Sequence, residues 1–191
     1  MKRLLQILFI AGFVLSGIGL LRISYFHAKA ELAQVLLESA WQKNFESNRI
    51  DPVKPWSWAD TWPVLKLDLP SIELSMLILK DASGQSLAFG PGLMTPNLMP
   101  GEIGNSFIAA HRDTHFKELE VLKKYEEIQV TNRLGEKKIF QVDQISIVDS
   151  RTEQPVIESN DRRITLVTCY PFNANEANTP FRYLVSAKMI N

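Results

Sequence analysis

The sequence predicts an all-β domain, a sandwich or closed barrel, behind a single apolar N-terminal segment. Three observations carry that reading. Short apolar runs separated by turn residues recur from residue 63 to the C-terminus, the pattern of short strands in sandwiches and barrels. Within that region helical spacing is clearest at Phe116 to Lys124 alone. And no charged residue falls between Arg3 and Arg22.

That uncharged run, Leu4 to Leu21, makes roughly 27 Å of helix at about 1.5 Å per residue, close to the hydrocarbon thickness of a bilayer. A cleaved signal peptide is the competing reading, because Ala28-Lys29-Ala30 resembles a small-x-small cleavage site. Signal-peptide apolar regions usually run only about 7 to 15 residues, and here Arg22 separates the run from the site. The run is therefore expected to be an uncleaved anchor. Lys2, Arg3 and the amino terminus, partly balanced by Arg22 and Lys29, favour the N-terminus inside and the remainder exported. The expected organisation is a cytoplasmic head (1–3), a transmembrane anchor (4–21), a helical stalk and linker (22–55) and one folded domain (56–191). Lys plus Arg equals Asp plus Glu, at 21 each, so no net field favours nucleic acid.

Leu32, Val35, Leu36 and Ala40 fall at helical spacing and predict a short amphipathic helix over 30–41. Asn44 to Pro55, polar and carrying Pro52 and Pro55, reads as the linker. Strands are expected at 63–69, 74–79, 106–110, 127–131, 138–142, 164–169 and 181–189. The polar, Gly-containing stretch 132–136 between two of them is of hairpin length. In the last strand Phe181, Tyr183, Val185 and Ala187 alternate onto one face, leaving Arg182 on the other.

Cys169 is the single cysteine. A lone cysteine in a strand is usually a small buried filler, but in an exported chain an unpaired one also reads as a free thiol. A nucleophilic thiol needs a proton-handling partner, and the histidines are His27, His111 and His115. His27 precedes the linker. His111 follows an apolar strand directly and so emerges at a sheet rim. His111 and His115 stand four apart with Asp113 between, a spacing that suits a metal only on a helix and with a third ligand. The preceding strand argues against helix there, so no metal site is assigned, and a calcium site from scattered carboxylates is not indicated. Acyl transfer also calls for a fixed cation near the developing oxyanion. Arg182 suits that place, with Arg112 and Arg163 as rivals that spacing does not separate.

These residues resemble a family. Thr165-Leu166-Val167-Thr168-Cys169 resembles the Thr-Leu-x-Thr-Cys signature of the sortases, membrane-anchored cysteine transpeptidases of bacterial surfaces. Asn105 to Phe116 resembles their histidine segment, in which the first of the two histidines is catalytic. An arginine follows the cysteine in the family's final strand, and the offset here, 182 minus 169 or 13, fits. Pro55-Trp56-Ser57-Trp58-Ala59-Asp60 and the Tyr170-Pro171-Phe172 that follows the cysteine are most similar to the class D type and its proteobacterial relatives. The likeness covers Pro55 to the end. Ala110 departs from it, standing where the family commonly has glycine.

The resemblance implies a closed β-barrel of about eight strands with short helices, and two-step acyl transfer. In it Cys169 attacks the Thr-Gly bond of an LPxTG-like sorting signal, His111 acts as acid and then base, and Arg182 holds peptide and oxyanion. Thr168 stands beside the nucleophile as a further candidate for orienting substrate or oxyanion. The implied partners are a secreted protein with a C-terminal sorting signal and an amine acceptor at the cell envelope. No cofactor is implied. Two other readings stay open: a cysteine hydrolase on the same scaffold, and a noncatalytic anchored binding domain.

Overall fold

A computed structural model describes residues 2–47, 52–95, 98–154, 156–174, 176 and 179–190. The chain divides into two compact units, Met1–Leu36 and Leu37–Asn191.

The first unit is helical throughout its described part, belonging to α1 (Lys2–Ser47). The separate short helix expected over 30–41 is thus a part of one long helix, because nothing between Leu21 and Ala30 breaks it: that stretch contains neither proline nor glycine. Among the described residues no helix is long and apolar enough to cross a membrane. The side chains of Leu4, Leu5, Ile7, Leu8, Ala11 and Val14 fall outside the described set, and the anchor reading rests in part on them.

In the second unit the last turns of α1 bury Leu37, Ala40 and Trp41. Asn44 then pins the following segment, accepting from the Val53 N–H at 2.7 Å and donating to the Val53 carbonyl at 3.3 Å. The expected linker is therefore tied down at this point.

Among the described residues eight strands follow: β1 (Pro63–Leu69), β2 (Leu74–Leu79), β3 (Gly92–Leu93), β4 (Gly104–Ala109), β5 (Glu127–Asn132), β6 (Lys137–Asp149), β7 (Arg162–Cys169) and β8 (Phe181–Met189). They close into a barrel in the order β1-β2-β3-β4-β7-β8-β6-β5, which resolves the choice between sandwich and barrel. Alternation sets the inside: Leu65, Leu67 and Leu69 of β1, Ile128 and Val130 of β5, Phe140 and Val142 of β6 and Val185 and Ala187 of β8 meet in one buried cluster. The β5–β6 turn is fixed by Asn132, whose Oδ1 accepts from the N–H groups of Leu134 and Glu136, and by Gly135 at φ 80°.

Two expectations are corrected, and one strand is added. Phe116 to Lys124 is not an α-helix but holds a 3₁₀ segment, Lys117–Val121, and Phe116, Leu119 and Leu122 reach the core at a spacing of three. β6 runs well past residue 142, because a register shift between Val142 and Gln144 lets the half-exposed 143–149 stretch keep pairing with β8. The two-residue β3 gave no periodic signal. It depends on Gly92, where any Cβ would lie 2.0 Å from the Asp81 carbonyl oxygen.

Candidate active site

β7 lies between β4, which it parallels, and β8, which it opposes. Ala109 is level with Val167, the Ala110 N–H donates to the Val167 carbonyl at 3.2 Å, and His111 follows just beyond the strand end. On the other side Cys169 is the direct Cα partner of Arg182. Cys169 and Arg182 thus face each other across paired strand ends, and His111 stands two residues past the end of β4, the strand on the other side of β7.

Alternation decides the face. Ile164 and Leu166 of β7 point into the core, whereas Thr165 and Val167 line an outer groove of about 470 Å³, and Cys169 shares their parity. From β8 the groove takes Arg182, Leu184 and Ser186, and from β4 it takes Asn105 and Phe107. Cys169 is half-buried with a free thiol. Arg182 donates through Nη1 to the carbonyls of Thr179 at 2.6 Å and Phe181 at 2.9 Å. Among the described residues no carboxylate pairs with it. A guanidinium carries five N–H donors, so the remainder are free for a ligand in the groove.

Thr168 has the opposite parity. Its side chain is buried, and its hydroxyl donates to the Ala110 carbonyl at 2.8 Å. With the Ala110 N–H bonded to Val167 at 3.2 Å, this holds the backbone just before His111 against β7.

The segment after Ala110 forms turns rather than helix, closed by the Phe116 N–H donating to the His111 carbonyl at 3.0 Å, so His111 and His115 do not share a helical face. His111 is exposed and His115 half-buried. Burial, and secondly the nearby charge of His111, lowers the His115 pKa below its ordinary value. Among the described residues no three His, Cys, Asp or Glu side chains are grouped to hold a metal. The His27 side chain lies outside the described residues.

The three arginines separate by partner. Arg163 binds both Asp143 oxygens, at 2.6 and 2.7 Å, away from the groove lining. Arg112 is 8 % exposed and donates to the carbonyls of Pro171 at 3.0 Å, Ala174 at 2.9 Å and Glu176. It clasps the β7–β8 loop onto the segment that carries His111. Sequence reasoning missed this clasp, since nothing in residue spacing marks a guanidinium that is satisfied by backbone oxygens. The same loop begins with a cis Tyr170–Pro171 bond, and its aromatic rings pack together: Phe172 meets Tyr183 edge-on at 5.0 Å, and Tyr170 stacks on Tyr183 at 6.2 Å.

A family model of the sortase domain matches residues 67–190. The chain belongs to the sortase family. It is 27 % identical over 125 residues to Sortase D of Bacillus subtilis (strain 168), an alignment covering 65 % of this chain and 62 % of that protein. The chain thus spans about three-fifths of the length of this curated relative. Among solved structures it is similar to a Clostridium perfringens Sortase D5 transpeptidase, at TM-score 0.66 and 21 % identity, covering 84 % of this chain and 99 % of that one. It is also similar to C. perfringens sortase C with the C-terminal cell wall sorting motif, at TM-score 0.59 and 18 % identity, covering 86 % and 90 %. At these identities the structural likeness is one of fold. Two of the three relatives bear the class D name, in line with the resemblance of the Trp56 and Tyr170 segments.

Proposed function

We propose that this sortase is a cysteine transpeptidase acting on an LPxTG-like sorting signal at the outer face of a cell membrane. The observation that supports the reading best is the direct cross-strand pairing of Cys169 with Arg182 beside the groove, with His111 just past the end of β4 on the other side of β7: in this reading they are nucleophile, cation and proton carrier. The C. perfringens sortase C seen with a sorting motif supports the substrate class.

In this reading the Cys169 thiolate attacks the threonine carbonyl carbon of the Thr-Gly bond, and Arg182 donates to the oxygen on which charge develops. The C–N bond breaks, the leaving amine takes a proton from His111, and the peptide is held as a thioester on Sγ. An acceptor amine then attacks that thioester, gives its proton back to His111 and releases the thiolate. Thr168 and Arg112 act one step removed, holding the backbone on which His111 and the β7–β8 loop are placed.

The membrane location rests on the uncharged run 4–21 and on the apolar side chains that α1 leaves uncovered. Phe9, Ile10, Phe13, Leu15, Leu20 and Leu21 are all exposed, a surface that lipid covers better than water. The N-terminus lies inside and the barrel outside.

The test is to incubate the full chain in detergent with an LPxTG-like peptide and a small amine, then read Cys169 by mass spectrometry. A peptide thioester on Cys169 and an amine-terminated product are expected, both absent in Cys169→Ala. Release of free acid alone, whatever the amine concentration, would assign a hydrolase instead.

A further inference from the structure

A second concavity, of about 350 Å³, shares no lining residue with the groove that Arg182 lines. One wall is the stretch Trp56 to Thr61, the other Lys80 to Phe89. Its size falls at the small end of ligand pockets, about 300–1,000 Å³.

Three features set it apart from an ordinary surface dent. Trp58 is 80 % exposed, yet its turn is held firmly on both sides: Ala59 is buried and its N–H donates to the Trp56 carbonyl at 3.0 Å, while the Trp56 ring packs edge-on against Phe89 at 5.1 Å. The exposed indole is therefore presented by a fixed turn. Thr61 is 4 % exposed, and its Oγ1 is buried with no hydrogen-bond partner among the described residues. Buried hydroxyls are nearly always paired, and an orphan lining a pocket calls for an explanation. Asp60 and Gln85, both exposed, add a carboxylate and an amide with no protein partner among the described residues.

The donor and acceptor inventory decides the ligand class. A cation would find two carboxylates, but Lys80 already occupies that role, 3.8 Å from Asp81 Oδ2 and 4.2 Å above the Trp62 ring. An anion would face Asp60 and Asp81. The Asp81 carboxyl stays ionised, because hydrogen bonds from Ser83 and Ser86 and the Lys80 charge outweigh its burial and leave it below its ordinary pKa. A purely apolar ligand would leave Thr61, Asp60 and Gln85 unmet. What satisfies donors and acceptors together is a set of hydroxyls, each of which both gives and takes; what covers an indole is a flat apolar face. A sugar ring offers both.

We propose that the Trp58–Thr61 pocket binds a neutral saccharide, with Trp58 as the stacking platform and Asp60, Thr61 and Gln85 as hydrogen-bonding groups. The inference is independent of the acyl-transfer reading, since it uses none of the groove residues.

The experiment titrates three neutral tetrasaccharides, of β1,4-linked glucose, α1,4-linked glucose and β1,4-linked N-acetylglucosamine, into the full chain by calorimetry. The detergent must be zwitterionic, since a glycoside detergent would compete. Spermidine and inorganic phosphate are the charged controls. At least one tetrasaccharide is expected to bind saturably. Trp58→Ala should weaken it about tenfold or more, equivalent to about 1.4 kcal/mol; Thr61→Val should weaken it several-fold and Thr61→Ser should restore it. Peptide cleavage at Cys169 should be unchanged in all three variants. Absence of binding by every tetrasaccharide, affinity that survives Trp58→Ala, or displacement by spermidine or phosphate would each overturn the proposal. None of those results bears on thioester formation at Cys169.

Discussion

The Thr168 hydroxyl donates to the Ala110 carbonyl at 2.8 Å, from a side chain almost wholly out of water. The residue beside Cys169 is thereby bonded to the residue beside His111. Thr168→Val keeps the shape and deletes the bond, leaving a buried carbonyl oxygen unpaired, at a cost of about 1–3 kcal/mol. Turnover should fall with little change in peptide KM, and Thr168→Ser should recover most of it. A role in orienting substrate would instead raise KM, so the kcat-against-KM split decides between the two, with thermal unfolding as the stability readout.

Arg112 reaches the carbonyls of Pro171, Ala174 and Glu176 from a buried position, with no carboxylate partner among the described residues. A lysine keeps the charge but cannot span three oxygens with a planar fork. Arg112→Lys should therefore behave nearly as badly as Arg112→Met, each losing about 2–4 kcal/mol of stability. The checks are denaturant unfolding and the rate of proteolytic nicking between residues 170 and 180, which should rise in both variants. Full stability in Arg112→Lys would mean that charge alone is what this position supplies.

Burial, with the charge of His111 second, holds the folded-state pKa of His115 below the ordinary value of about 6.5. Between the folded and unfolded values the unfolded chain binds a proton that the folded chain refuses, so stability rises with pH across that window. The penalty is fully present below the folded pKa and absent above the unfolded one. Melting temperature measured from pH 5 to 7.5 (a range chosen to bracket that reference value) should climb in the wild type and climb less in His115→Gln. Equal slopes in the two proteins would place the titrating group elsewhere.

Strand positions were legible because burial on one face leaves a period-two trace: β1 alternates strictly, and β8 separates Phe181, Tyr183, Val185 and Ala187 from Arg182. The Cys169–Arg182 pairing was legible for the same reason, as both ends of a single loop between neighbouring strands. What escaped is whatever depends on non-local contact. β3 exists through the close approach of Gly92 to Asp81, the Arg112 clasp through carbonyls about 60 residues away, and the long β6 through a register shift. None of these has a periodicity of its own. The helix over 116–124 failed differently: Phe116, Leu119 and Leu122 recur every three residues, the 3₁₀ period, and all three are drawn into the core.

The three arginines that spacing left as rivals make the final prediction, since their partners now differ. Arg163 is half of an ion pair with Asp143, whose carboxylate is 41 % exposed; solvent screening limits such a pair to about 0.5 kcal/mol or less. Arg182 faces the groove opposite Cys169 with guanidinium donors to spare. Removing a single oxyanion donor typically costs about 10²–10³ in kcat. Arg182→Gln should therefore lose two to three orders of magnitude in turnover while still acquiring the thioester slowly on Cys169, and Arg163→Gln should turn over at the wild-type rate. Single-turnover peptide cleavage by the two variants, side by side with Cys169→Ala, measures the contrast. A wild-type rate in Arg182→Gln would move the oxyanion donor to another group.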